Sequence, residues 1–224
     1  MAAMLRHLRA LPSAPNHRSE STVSAPIDFY FDFDFASPYG YIASQQIDKI
    51  AERHGRTVTW RAIVLDANFQ SLERIRIPNN IMRSDYVRRD SERLATFYGV
   101  EYRTPSNLGA HTEQAARIFH WVHDRQPQRC RDFASRVMKA YFVDDQNIAS
   151  EEVLEAICTE MGISAEDFAE ASANPASRSR LKAEVDMAEA RGVFGSPFFI
   201  VEGERFWGND RLPQLERWLA SGPY

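Results

Sequence analysis

IDFYFDFDFASPYG, residues 27–40, decides the fold. From Ile27 to Phe35 apolar and polar residues alternate strictly, which is the period of a β-strand. Ile27, Phe29, Phe31, Phe33 and Phe35 share one face; Asp28, Tyr30, Asp32 and Asp34 share the other. The aromatic face must be buried, and the polar face reads as the less buried one. Ser37-Pro38 then opens a helix, because serine is a good N-cap and proline suits the first helical position. That helix is expected to run to about His54, with Gly55 as its left-handed stop. Thr57–Val64 (TVTWRAIV) is rich in β-branched and aromatic residues and reads as a second strand. Strand, helix and strand make a βαβ unit with a right-handed crossover.

Outward from this unit the character changes. Residues 66–191 read as mainly helical, in segments near 81–98, 112–126, 130–143, 150–161, 165–172 and 175–191. Thr112, Ser150, Ser164 and Asn174 are candidate N-caps, and Gly99, Gly162 and Gly192 suit helix ends. After Gly192 strands return. Phe198–Val201, a turn at Glu202-Gly203-Glu204 and Arg205–Trp207 form a hairpin. Asn209-Asp210 precede a last helix with Leu212, Leu215, Trp218 and Leu219 on its inner face. The order βαβ, helical insertion, ββα is an α/β thioredoxin-like layout. Its domain would be residues 26–65 with 192–224, and 66–191 would be the all-helical insertion.

The 224 residues include 27 basic and 31 acidic ones, a net charge of −4. No basic footprint for nucleic acid covers the chain. No apolar run is long enough for a membrane span. Residues 1–25 differ from the rest: Arg6, Arg9 and Arg18 face only one acid, Glu20. They read as a disordered extension or as a transit-type leader. Cys130 and Cys158 fall in helical stretches and are expected to be reduced structural thiols, which fits a cytoplasmic setting, or a mitochondrial one if the leader is a transit peptide. His120 and His123 share a helical face without a third ligand, so they read as a solvated pair and no metal site is expected.

Three places carry chemistry. Ser37 stands where a strand feeds a helix N-terminus, a place that favours anions. Thioredoxin-like redox proteins hold a cysteine there; with Ser37-Pro38-Tyr39-Gly40 no dithiol chemistry is available. Taken alone, Ser37 needs no role beyond capping. Ser196-Pro197 suits a cis bond at a strand entry, leaving the Ser196 backbone N–H and C=O to pair with an extended peptide-like ligand; an ordinary trans proline is the alternative. Asn209 and Asp210 begin the last helix, where a carboxylate either caps the helix or binds a ligand ammonium group.

FDFDFASPYGYIA (31–43), AYFVDDQNI (140–148) and RGVFGSPFFIVEGERFWGNDRL (191–212) together resemble the 2-hydroxychromene-2-carboxylate isomerase family. That family is related to kappa-class glutathione transferases and to DsbA-like thioredoxin-fold oxidoreductases. The resemblance follows nearly all of 27–220 in element order. It implies glutathione as cofactor, with Ser37 as the catalytic serine that stabilises the thiolate. It further implies that Ser196 and Pro197 pair with the tripeptide, and that Trp207, Gly208, Asn209 and Asp210 hold its γ-glutamyl end. Tyr86 and Asp90 match a Y-x-x-x-D pattern, and Tyr39, Tyr86, Asn79 and Asn80 are implied in substrate binding. Phe198 stands where threonine is more usual. The implied reaction is glutathione-dependent cis–trans isomerisation of 2-hydroxychromene-2-carboxylate, or of a related intermediate of aromatic compound degradation, by a homodimer. A kappa-like transferase or peroxidase, or a non-catalytic binding module, would share much of the signature.

Overall fold

A computed structural model of the chain describes residues 29–65 and 81–224. The expectations placed on residues 1–25, on Asn79 and on Asn80 lie outside these residues. β1 (Phe29–Phe33) pairs in parallel with β2 (Thr59–Ala62) and antiparallel with β3 (Phe198–Val201), and β3 pairs antiparallel with β4 (Glu204–Trp207). The sheet order is β2-β1-β3-β4, the mixed arrangement that βαβ followed by ββα requires. This is the expected thioredoxin-like α/β layout with a helical insertion.

The aromatic face of β1 makes the main core. Phe31 stacks on Phe199 with ring centroids 5.4 Å apart and meets Trp60 edge-on at 5.0 Å. Phe33 meets Phe119 at 5.4 Å, and Phe35 meets Phe133 at 6.3 Å. Such offset and edge-to-face pairs suit the aromatic quadrupole and add to the apolar area removed from water. Phe119 belongs to α4 (Glu113–Arg125) and Phe133 to α5 (Cys130–Phe142), so the insertion and the sheet share one core.

The polar face of β1 is not a water face. Asp32 is fully buried and Asp34 nearly so. A second, smaller cluster of Ile63, Ala188, Val193, Phe198 and Ile200 packs on this side, with Ala188 supplied by α8 (Pro175–Ala190). Alternation correctly separated the two faces, but the covering helix comes from about 150 residues further along the chain.

The expected single helix after Ser37 is two helices, α1 (Pro38–Ser44) and α2 (Ile47–Arg53). Between them the Gln46 N–H bonds the Ala43 carbonyl, one residue short of α-helical register. The Gln46 side-chain amide donates to the Ile42 carbonyl that the backbone would have used. A local side chain has outcompeted the helix ladder.

The insertion continues with α3 (Ile81–Tyr98), α6 (Glu151–Glu160) and α7 (Ala165–Ala173), and the chain ends in α9 (Leu212–Ser221). Ser164 and Asn174 cap α7 and α8 through their side chains. Ser150 makes no side-chain cap, and Thr112 uses its hydroxyl elsewhere, on Asp34. The solvated histidine pair is also corrected. His120 is buried, and its Nε2 lies 2.7 Å from the Ala62 carbonyl on β2; burial lowers its pKa to about 4. Its partner His123 is partly exposed beside Asp124. Cys130 and Cys158 are free and buried, and burial pushes the Cys158 thiol up to about 12. Among the described residues no helix is long and apolar enough to cross a membrane, and no group of acids, histidines and cysteines could hold a metal ion.

Candidate functional site

The end of β1, the start of α1 and the entry to β3 converge on Ser37. Its Oγ accepts the Gly40 N–H at 3.1 Å, so Ser37 is the N-cap of α1. The same hydroxyl donates to the Ser196 carbonyl at 3.0 Å. The Ser196–Pro197 peptide bond is cis. Half of the expected peptide-pairing edge at Ser196 is therefore engaged within the protein, because the carbonyl receives the Ser37 proton. The Ser196 N–H has no partner among the described residues. Gly40 is required here by close approach: a Cβ on it would lie 2.9 Å from Ser196 Oγ.

Because α1 is only seven residues long, its dipole adds little, and the local hydrogen bonds carry the arrangement. Those bonds meet at Asp34. Its carboxylate accepts from the Ala36 N–H at 2.9 Å, the Thr112 hydroxyl at 3.0 Å and the Leu65 N–H at 2.8 Å. Its own N–H donates to Ser196 Oγ at 2.9 Å, and its carbonyl accepts from the Ser37 N–H at 3.0 Å. Sequence reading missed Asp34 and Thr112. The only available signal was an acid three residues before Ser37, on a face that alternation assigned to polar residues.

The third wall follows β4. Trp207 is 45% exposed and meets Phe194 edge-on at 4.9 Å. The Gly208 N–H bonds the Pro197 carbonyl at 3.0 Å, which fixes this segment to the cis-proline loop. Gly208 has φ 104°, and a Cβ there would stand 2.5 Å from the Asp210 carboxylate. Only glycine fits both demands. Asn209 and Asp210 lie in a 3₁₀ turn (Asn209–Arg211) before α9, and neither side chain caps a helix. Capping is thereby removed as the explanation for them. Asp210 is largely exposed, with Arg211 at 3.6 Å. Asn209 is 2% exposed, and both polar atoms of its amide lack a partner. A buried amide without partners costs on the order of 1–3 kcal/mol, so a ligand or water that satisfied it would bind with advantage.

Above α1 stands α3. Tyr39 donates its hydroxyl to Asp90 at 2.9 Å, and Arg93 pairs with the same carboxylate. Burial, then the Asp90 bond, hold the Tyr39 phenol well above its ordinary pKa, so it stays protonated. Tyr86, one turn before Asp90, is exposed. The Y-x-x-x-D spacing thus places Asp90 on Tyr39 while Tyr86 stays at the surface. A separate cavity of about 530 Å³, lined by Tyr41, Gln45, Lys49, Tyr98, Lys139 and Leu212 among others, contains none of the expected site residues.

Comparison with known proteins agrees with this architecture. Residues 26–220 match the family model described as a DSBA-like thioredoxin domain. The chain is 30% identical over 201 residues to a Pseudomonas putida protein named 2-hydroxychromene-2-carboxylate isomerase, covering 85% of this chain and 92% of that one. A protein of the same name from Sphingobium xenophagum is 29% identical over 202 residues, covering 86% and 97%. A solved structure of selenomethionine 2-hydroxychromene-2-carboxylate isomerase superposes with a TM-score of 0.74 at 26% identity, covering 86% of this chain and 94% of that one.

Proposed function

The chain belongs to the DSBA-like thioredoxin domain family and, within it, to the 2-hydroxychromene-2-carboxylate isomerase family; from that premise we propose that it is a glutathione-dependent cis–trans isomerase. Its substrate is 2-hydroxychromene-2-carboxylate or a related ring-opened aromatic intermediate, and its product is the trans-2-hydroxybenzylidenepyruvate type of ketoacid. One observation carries the proposal. The position that holds a cysteine in redox relatives is Ser37, yet among the described residues the Ser196 N–H and the Asn209 amide lack partners. A site of this kind suits a ligand that is peptide-like and brings its own sulfur.

When bound, glutathione would supply a nucleophilic sulfur that adds reversibly to a conjugated double bond and so permits rotation. The chain's own residues do the rest. Ser37 has one hydroxyl proton, now given to the Ser196 carbonyl, and rotating it toward the ligand would stabilise an anion. The capping bond from Gly40 persists through that rotation, because it uses a lone pair of Oγ. The Ser196 N–H donates to a backbone-type carbonyl, as in strand addition. Asn209 offers one donor group and one acceptor, and Asp210 a carboxylate suited to an ammonium group. Trp207 gives the rim an apolar face. Tyr39, kept protonated and tied to Asp90, limits one side of the substrate space.

The same reading makes the protein a homodimer, checked by sedimentation, and its two unpaired buried thiols suit a reducing cytoplasm. The deciding assay follows the spectrum of 2-hydroxychromene-2-carboxylate with glutathione present at a small fraction of the substrate. Many turnovers per glutathione, with the free thiol recovered, support isomerisation. Stoichiometric consumption of thiol would instead indicate a transferase. No turnover and no glutathione binding would leave a binding module.

A further inference from the structure

Four separate segments meet at Asp34, three residues before Ser37 at the end of the strand that leads into it. Its carboxylate takes the Ala36 N–H beside Ser37, the Leu65 N–H at the exit of β2 and the Thr112 hydroxyl at the start of α4. Its backbone N–H donates to the Ser196 hydroxyl oxygen. The three groups named as donors to the carboxylate are neutral, so these bonds are directional, and the residue is 7% exposed. An amide could not replace the carboxylate: one of its two ends would be an NH₂, facing a donor at Leu65 or at the Ala36–Thr112 pair.

We propose that Asp34 is the positioning residue of this site, fixing the Ser37 hydroxyl and the Ser196 loop relative to the chain that leaves β2, with Thr112 as its anchor in the helical insertion. The inference rests on the reading of Ser37 as the group that stabilises a bound thiolate. Asp34 does not touch the reacting atoms; it sets where Ser37 and Ser196 stand. A displacement of about 1 Å at such a site is enough to cost on the order of a hundredfold in rate.

The test uses the full chain with Asp34→Asn, Thr112→Val and Thr112→Ser. Each is assayed below its melting temperature for kcat, KM and the ultraviolet absorbance of bound glutathione thiolate near 240 nm. Asp34→Asn is expected to lower kcat by on the order of a hundredfold and to reduce the thiolate signal. Thr112→Val removes one bond to the carboxylate and leaves the fold intact; kcat should fall about tenfold with KM little changed, the worth of one hydrogen bond to a charged group. Thr112→Ser keeps the hydroxyl and should restore both readings. If Thr112→Val matches the wild type in kcat and thiolate signal, or if Thr112→Ser fails to rescue it, the positioning role is overturned while the glutathione reading stands. If the wild type binds no glutathione, both fall together.

Discussion

Asp32 and Asp34 lie two residues apart on the same face of β1, both buried, and the protein treats them in opposite ways. Asp34 sits at the strand's end among amide and hydroxyl donors from separate segments, and its neighbours form the candidate site. Asp32 sits one pleat deeper. Its nearest partner is the Arg191 guanidinium at 3.4 Å, and its Oδ2 has no partner. Around it Arg61 lies over the Tyr30 ring, and Glu184 takes Arg61, Arg180 and Arg191. Burial raises the Asp32 pKa to about 6, with Arg191 and Arg61 opposing. Directional neutral donors fix a position. A crowded set of charges under α8 mainly offsets its own desolvation. The difference teaches that burial of an acid is not by itself a functional mark; the partners decide.

Several variants would sharpen or break that contrast. The largest effect belongs to Ser37→Ala. Losing the hydroxyl should lower kcat by about 10²–10³-fold, as for one donor of an anion hole. Stability should fall by only about 1 kcal/mol, the usual worth of an N-cap. Activity assay and urea unfolding together check the split. Equal turnover by Ser37→Ala would remove Ser37 from the chemistry.

Next comes the pair of aspartates at pH 7.5. Asp34→Asn should destabilise by about 1–3 kcal/mol, because buried donors lose their acceptor. Asp32→Asn should lie near neutral, since it removes a poorly partnered buried charge. Urea midpoints with unchanged m-values measure both. If Asp32→Asn proves the more damaging, the contrast is wrong.

The pH dependence separates Asp32 from His120, both of which feel the Glu184 carboxylate. Asp32 has a folded pKa above its unfolded one, so its stabilising contribution is full below about 3.8 and is lost as pH rises through about 6. His120 has a folded pKa below its unfolded one, so its contribution is full above about 6.5 and is lost as pH falls through about 4. In the wild type the two oppose each other between pH 4 and 6. Relative to it, Asp32→Asn should gain stability with rising pH over that window, and His120→Asn should lose it, each by on the order of 2 kcal/mol. Unfolding at pH 4.5 and 6.5 shows the two signs. Parallel shifts in both variants would contradict the assignment.

The smallest effect is at Gly208. Alanine there must adopt φ near 104° and displace the Asp210 carboxylate. About 1–2 kcal/mol of stability should be lost, with glutathione affinity weakened several-fold and kcat little altered.

The contrast also shows what a sequence can carry. Phe29, Phe31 and Phe33 announce their face by period two, and Pro38 and Gly55 mark where the chain turns from strand to helix and leaves it. Among the described helices of the insertion, α3, α4, α6, α7 and α8 end within about two residues of a glycine or proline, because those signals are local, while α5 ends at Phe142 without one. Ser37, Ser196 and Asn209-Asp210 stand out in the sequence because each lies at an element boundary, whereas Trp207 and Gly208 come only with the family resemblance. Asp34 does not stand out, because its partners come from positions 31 and 78 residues further along and from Ser196. His120 was misread for the same reason: the carbonyl it meets belongs to a strand 58 residues earlier. The orphaned Asn209 amide is a property of packing alone.

The central claim is that this site takes a thiol-bearing peptide. Calorimetric titration of the full chain with reduced glutathione, beside Asp210→Ala, tests it most directly. Saturable binding by the wild type, at least tenfold weaker in Asp210→Ala, is the predicted result. No heat of binding up to millimolar glutathione, or binding indifferent to Asp210, would contradict it.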